Sequence, residues 1–175
     1  LKNIRTYATT PSIGVWKGRY ANCPAVLVAA GPSLRKNLAL LKEIRDRVVV
    51  VAVQTTLKPL LEYGIKPDFV TSLDYHQVCL RFFDGLSAKD LQGVTLIAEP
   101  KAHWSVVDYY SQRGQVALLG NEFAQLMLSG MDDRHDRLRA GATVAHLSFY
   151  FAQYIGAGPI IMIGQDLGYT NNVYY

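Results

Sequence analysis

The 175-residue sequence contains no apolar run near the roughly 20 residues that a membrane-spanning helix needs, so no helical membrane anchor is read from it. Its first residues lack the charged-then-apolar layout of a secretory signal. There are only two cysteines, Cys23 and Cys79, far apart and without a C-x-x-C partner. That spacing excludes a zinc ribbon and a disulfide framework, and a reduced, cytoplasmic setting is expected. No dense Lys/Arg block marks a nucleic-acid groove. Neither H-E-x-x-H nor G-x-S-x-G occurs, which argues against zinc hydrolysis and against a serine-hydrolase elbow. No repeat and no low-complexity tract is present.

Charge is also scarce. Only 18% of residues are charged and 50% are hydrophobic, a balance that favours one compact core over disorder. The 18 basic and 14 acidic residues leave a formal charge of +4, a modest excess that suits an anionic small substrate. The chain opens on Leu1 rather than Met and stops at Tyr175, just past an apparent strand, and it reads as a piece of a longer protein.

The sequence is rich in short apolar, β-branched runs. Ala25–Ala30, Val48–Gln54, Asp68–Leu73, Val94–Ala98, Gln115–Leu119 and Pro159–Gly164 are such runs. Continuous apolar runs of this length predict parallel strands covered on both faces. Between them, Ser33–Arg47, Thr55–Tyr63, Trp104–Gln112, Glu122–Leu128 and Thr143–Ile155 carry helical spacing. The alternation predicts an α/β fold: a doubly wound, mostly parallel, Rossmann-like sheet with the first strand near its centre. Residues 1–20 break the pattern and are expected to form a docking helix or linker, ahead of a nucleotide-binding domain over 21–175.

In open α/β sheets ligands bind beyond the carboxyl ends of the strands, which singles out five loops. Gly31-Pro32-Ser33-Leu34 joins the first strand to a helix. Gly31 permits close backbone approach, Pro32 suits a helix start, Ser33 is read as the cap, and the free N–H groups of the first turn form an anion site. Gln54 and Thr55 end the second strand, where Gln54 offers hydrogen bonds to a base or sugar and Thr55 offers a helix cap. Asp74 ends the third strand, suited to a ribose hydroxyl or a metal-bound phosphate, with His76 nearby as a general base. Gly141 and Thr143 open the last long helix and offer a second anion contact. Gln165 and Asp166 follow the last strand and face the same cleft, with 168–172 as a lid. Asp132–Arg137 reads as a solvated charged loop.

The strings AVLVAAGPSLRKNLALLK, GIKPDFVTSLD and AGATVAHLSFYFAQYIGAGPIIMIGQDLGYT occur in that order over roughly residues 20–170. As a set they resemble the MptE-like domain family in its bacterial Maf branch. The Maf resemblance implies a sialyltransferase-like transferase that moves a nonulosonic, sialic-acid-like sugar from a CMP-activated donor to Ser or Thr of flagellin, without a required cofactor. The MptE branch implies a 6-hydroxymethyl-7,8-dihydropterin diphosphokinase using ATP and Mg²⁺. A third reading is a nucleotide-binding module without catalysis of its own. Diphosphokinases of this kind place a D-x-D pair after the P-D strand, whereas here Ser72-Leu73-Asp74 supplies one carboxylate. That departure favours the glycosyltransferase branch and no bound metal. By the same resemblance, the donor phosphate meets Gly31, Pro32, Ser33 and Leu34, and Gln54 and Thr55 meet the nucleotide. Gly141 and Thr143 line the cleft, and Asp74 and Asp166 contact ribose, sugar or acceptor. His76 is the best-placed histidine, and His146, inside a helix, is expected to be buried.

Overall fold

The structure, a computed structural model, describes residues 2–122, 126, 135–139 and 141–168. The helix read over Glu122–Leu128, the charged loop before residue 135, Ala140 and the lid residues 169–172 lie largely or wholly outside the described residues.

Six strands form one sheet: β1 (Ala25–Val28), β2 (Val49–Val53), β3 (Phe69–Ser72), β4 (Thr95–Ala98), β5 (Gln115–Leu118) and β6 (Ile160–Ile163). Every pairing is parallel, in the order β5-β4-β3-β2-β1-β6. The fold is therefore the Rossmann-like α/β class that the alternation predicts. The six apolar runs all become strands, each trimmed at one or both ends. The expected central position of β1 needs correction, because it is second from an edge. Strands β1 to β5 are laid down one after another in a single direction, and only β6 returns to the far side of β1.

Six helices are described: α1 (Ile4–Thr9), α2 (Leu34–Ile44), α3 (Leu57–Glu62), α4 (Ala88–Leu91), α5 (Trp104–Ser111) and α6 (Val144–Tyr154). Strand alternation divides the core into two faces. On one face Val26, Val28, Val50, Ala52 and Leu60 pack with Leu34, Leu38 and Leu41 of α2, continuing to Val106, Val107 and Tyr110 of α5 over Val70, Leu96 and Val116. On the other, Leu27, Val51, Phe69 and Ile97 pack against Leu147 and Phe151 of α6 and Ile155 just past its end. Ile13 and Trp16 from the first twenty residues join this second face, and Tyr7 of α1 joins the first.

β6 departs from the expectation of strands covered on both faces. Ile161 is 45% exposed and Met162 is 51% exposed, on opposite sides of the sheet. As the edge strand, β6 is only partly covered: Ile160 packs with the α6 cluster and Ile163 with the α2 cluster, while Ile161 and Met162 between them stay exposed.

Candidate active site at the carboxyl edge of the sheet

The order β2-β1-β6 puts a reversal of strand direction of travel between β1 and β6. At such a switch point the two outgoing loops diverge to opposite faces and leave a crevice. The loops here are Gly31–Leu34 after β1 and Gly164–Asp166 after β6. They are stitched together: the Gly31 N–H donates to Gly164 O at 2.7 Å, and Asp166 Oδ2 accepts from the Ser33 N–H at 3.1 Å and the Ser33 hydroxyl at 2.8 Å. A Cβ on Gly31 would fall on that same Oδ2. Gly164 has φ +69°, a left-handed conformation that side chains disfavour, and a Cβ there would strike Ala29 O.

Ser33 is therefore not the cap of its own helix. Its backbone is already helical (φ −70°, ψ −15°), and from that conformation the hydroxyl cannot turn back to the first-turn N–H groups. It reaches outward to Asp166 instead. The first turn of α2 is also less open than its sequence suggests, because the Leu34 N–H donates to Gly31 O and the Lys36 N–H to Ser33 O. The Asp166 carboxylate sits at the positive end of this helix, where an anion is favoured. Two further residues, unremarked in the sequence, flank that end. Arg35 and Lys36 are exposed in the first turn, which carries no acidic residue, and neither forms an ion pair among the described residues. Cations at a helix N-terminus oppose the dipole, so their presence there suits an anionic ligand.

The N-terminus of α6 approaches the same crevice. Ala145 and Ser148 share a small depression with Val28, Ala29, Val53 and Gln165. Thr143 caps α6 by accepting from the His146 N–H at 3.3 Å, and its hydroxyl pairs with His146 Nδ1 at 2.9 Å. A Cβ on Gly141 would collide with His146 Cβ, which accounts for the glycine by packing against its own helix. His146 is exposed, contrary to the expectation of burial. The T-x-x-H spacing puts it in the first helical turn, whereas the buried stripe begins at Leu147.

At the ends of β2 and β3 the side chains are committed inward. Gln54 is 3% exposed. Its Oε1 accepts from the Ser72 hydroxyl at 2.6 Å, and its Nε2 donates to Cys79 Sγ at 3.4 Å. The reading of Gln54 as a base or sugar contact is thus met by a side chain with internal partners. Thr55 lies in a 3-10 turn (Gln54–Thr56), and the residue before α3 is Thr56, whose hydroxyl bonds Val28 O and Val53 O rather than capping. Asp74 is half-buried just past β3, its carbonyl accepting from the His103 N–H at 2.9 Å. Burial, then the Asp74 charge, pushes the Cys79 thiol pKa up, so it stays protonated. His76 is exposed, its ring 4.1 Å from that of Tyr75.

Along the same edge, beyond β4 and β5, an open cleft of about 210 Å³ is lined by Glu99, Gly120, Asn121, Glu122, Arg137 and Arg139, among others. Arg137 pairs with Glu122 at 3.0 Å. No strand or helix pattern in the sequence signals this cleft, which is closed by residues distant in the chain.

The residues around Asp74 do not fit a two-carboxylate Mg²⁺ site. Ser72, two positions earlier and the last residue of β3, is fully buried and bonded to Gln54. No group of three or more His, Cys, Asp or Glu suited to a metal gathers among the described residues. No helix among them is long and apolar enough to cross a membrane.

A parallel sheet with a Gly-bearing loop and a helix N-terminus at its switch point defines a Rossmann-like α/β fold, the class in which that crevice is the usual ligand site. The chain belongs to the family described as 6-hydroxymethylpterin diphosphokinase MptE-like, whose model matches residues 1–172. Among solved structures it is similar to the Maf glycosyltransferase from Magnetospirillum magneticum AMB-1, with a TM-score of 0.69 and 24% identity. That match covers 87% of this chain and 24% of the other, so the chain spans about a quarter of that protein's length. Among curated proteins no match is found.

Proposed function

We propose that this domain binds a nucleotide-activated donor at the β1–β6 crevice and belongs to a transferase, with a CMP-activated nonulosonic sugar as donor and a Ser or Thr hydroxyl of flagellin as acceptor. The observation that carries the reading is the first turn of α2, where the Gly31 loop, the positive end of the helix and the cations Arg35 and Lys36, without an ion pair among the described residues, meet at the switch point. In this reading the donor phosphate takes the position of the Asp166 carboxylate against the Ser33 N–H and hydroxyl, with the backbone from Gly31 to Leu34 close by. Thr143, Gly141 and Gln165 border the nucleotide, and Gln54 and Thr55 support it from beneath. The cleft beside Arg137 and Arg139 admits the acceptor.

The chemistry is a displacement at the anomeric carbon. The acceptor hydroxyl oxygen forms a bond to that carbon as the bond to the phosphate oxygen breaks, and CMP departs with the electron pair. Backbone N–H groups stabilise the charge on the departing phosphate. The hydroxyl proton passes to a base at the end of β3, either the Asp74 carboxylate or the His76 imidazole. No cofactor enters this scheme, and the setting is cytoplasmic.

The family description favours a second reading, pyrophosphoryl transfer from ATP with Mg²⁺. It needs a metal between carboxylates and phosphates, and the engagement of Ser72 with Gln54 weighs against it. A thermal-shift panel of CMP, CDP, ATP and GTP, each with and without Mg²⁺, separates the two. The proposal expects CMP to raise the midpoint more than ATP, with little effect of Mg²⁺. A response to ATP only with Mg²⁺, and none to CMP, replaces it with the diphosphokinase. Binding of CMP without turnover of a CMP-sugar reduces the domain to a nucleotide-binding module.

A further inference from the structure

Arg137 and Arg139 reach the cleft past β4 and β5 on a segment that is fastened one residue earlier. Asp136 is held at three points. Its N–H donates to the Ser12 hydroxyl at 3.1 Å, its carbonyl accepts from the Gly120 N–H at 2.8 Å, and its carboxylate accepts from the Tyr154 hydroxyl. His135 stacks on Tyr7, with ring centroids 3.9 Å apart. The segment runs directly over Gly120, where a Cβ would strike His135 O and Arg137 Cγ. Leu138 packs against the cluster beneath α6. Arg137 and Arg139, on either side of it, are exposed and line the cleft. Both guanidiniums are thus presented from a backbone that residues distant in the chain hold in place.

The charges of the cleft do not cancel. Glu122 pairs with Arg137 at 3.0 Å, and Glu99 pairs with Lys101 at 2.9 Å. Arg139 has no ion pair among the described residues, and its guanidinium lies 5.9 Å from the centroid of the Tyr150 ring. One positive charge is left over, and the exposed Arg137–Glu122 pair can exchange partners at little cost. The volume of about 210 Å³ falls below the roughly 300 to 1,000 Å³ of small-molecule sites and suits a single side chain. We propose that this cleft docks one acidic side chain of the acceptor, an Asp or Glu carboxylate that pairs with Arg139 and draws on Arg137. The inference rests on the proposed donor position at the β1–β6 crevice and adds a sequence requirement to the acceptor. In the sheet, β4 and β5 stand three and four places from β1. At about 4.8 Å per strand, the cleft lies about 14 to 19 Å along the carboxyl edge from the donor phosphate. An extended peptide advances about 3.3 Å per residue, and the two side chains add a few ångströms of reach. The acidic residue therefore falls about three to five residues from the accepting Ser or Thr.

Fluorescence polarisation of labelled Gly/Ala peptides carrying one Thr and one Glu, with CMP present, tests the cleft. The Glu peptide should bind about threefold to tenfold more tightly than its Gln counterpart, and the preference should shrink in high salt. Arg139→Ala should remove the preference. Arg139→Glu should reverse it, so that a Lys peptide binds more tightly than the Glu peptide. Arg139 is exposed, so both variants should melt near the parent. Transfer from CMP-N-acetylneuraminate to the Thr reads the spacing, with KM lowest when the Glu stands about three to five residues away. Equal binding of the Glu and Gln peptides by the parent, a Glu preference that persists in Arg139→Glu, or a KM indifferent to spacing overturns the proposal. Failure of the parent to bind CMP would instead overturn the proposed function, and the Glu-over-Gln preference alone then decides the cleft.

Discussion

Ser33 and Asp166, 133 residues apart in sequence, are joined at the positive end of α2 by two hydrogen bonds to one carboxylate oxygen. The carboxylate has the charge and the position that the proposed donor phosphate requires, so the two compete. Asp166→Asn removes the charge and should cost about 0.5 to 1 kcal/mol of stability, as loss of a favourable helix-terminal anion does. The same change should tighten binding of CMP and of inorganic phosphate. Calorimetry on the variant separates this from the role that the sequence suggests for Asp166. A weaker CMP complex would mean that the carboxylate holds the ligand's ribose or sugar directly.

Arg35 and Lys36 yield a prediction in which stability and affinity move in opposite directions. Each cation faces the positive end of the α2 dipole without an acidic partner among the described residues. Replacing either by Ala should raise ligand-free stability by about 0.3 to 1 kcal/mol, since like-sign repulsion is relieved and Ala is the better helix former. CMP affinity should fall about twofold to fivefold, the equivalent of about 0.5 to 1 kcal/mol, and the difference should shrink in high salt. Denaturant melts and calorimetry at two salt concentrations test both signs. Unchanged affinity in both variants would move the anion away from this helix.

The strands were legible because parallel strands buried on both faces are written as unbroken apolar runs, and Val49–Val53 is the clearest example. The same signal misled at Ile160–Ile163, because a run of apolar residues does not say whether a helix covers it. Gly31 was legible as a point of close approach, but the approaching group is Asp166, which only the tertiary fold brings there. Gln54 carried every mark of a loop ligand-binder, yet its partners Ser72 and Cys79 lie on other segments and take its amide inward. Helix membership does not by itself bury His146, because the Thr143 cap three residues before it sets it in the first, exposed turn.

Gly31 tests the close approach itself. A Cβ there meets the Asp166 carboxylate and Gly164 O, so Gly31→Ala should destabilise by about 1 to 3 kcal/mol, as overpacking does. Combining it with Asp166→Ala should recover only part of the loss, because the backbone oxygen of Gly164 remains. Thermal melts of the two single variants and the double variant measure the coupling. Strict additivity would mean that Asp166 leaves the loop in solution.

Stability should also decline in alkali. Burial raises the pKa of Tyr110, whose hydroxyl donates to Val94 O, and burial followed by the bond to Asp136 raises that of Tyr154. Both are raised above the unfolded value of about 10. The contribution of the neutral phenols is therefore complete below about pH 10 and is lost as pH rises toward the folded values. Urea melts from about pH 8 to about pH 11 should show the loss, and Tyr154→Phe should flatten it. Phenolate absorbance of these two tyrosines should develop together with unfolding. Free titration of both in the folded protein near pH 10 would contradict their burial.

Ser72 offers the most direct test of why this chain carries one carboxylate after β3. The hydroxyl is fully buried and donates to Gln54 Oε1, and Asp74 lies two residues on, just past the end of the strand. Ser72→Asp puts a carboxylate against an amide oxygen in a site closed to water. The Gln54 amide must turn over to offer its nitrogen, which breaks its bond to Cys79. The variant should lose about 2 to 4 kcal/mol, the range for an imperfectly partnered buried charge. In exchange it gains the D-x-D spacing, and a divalent cation bridging Asp74 and the new carboxylate would offset part of that loss. Millimolar Mg²⁺ should therefore raise the melting midpoint of Ser72→Asp and leave that of the parent in place. A parent stabilised by Mg²⁺ alone, or a variant as stable as the parent without it, would show that position 72 is not what separates this site from a two-carboxylate metal site.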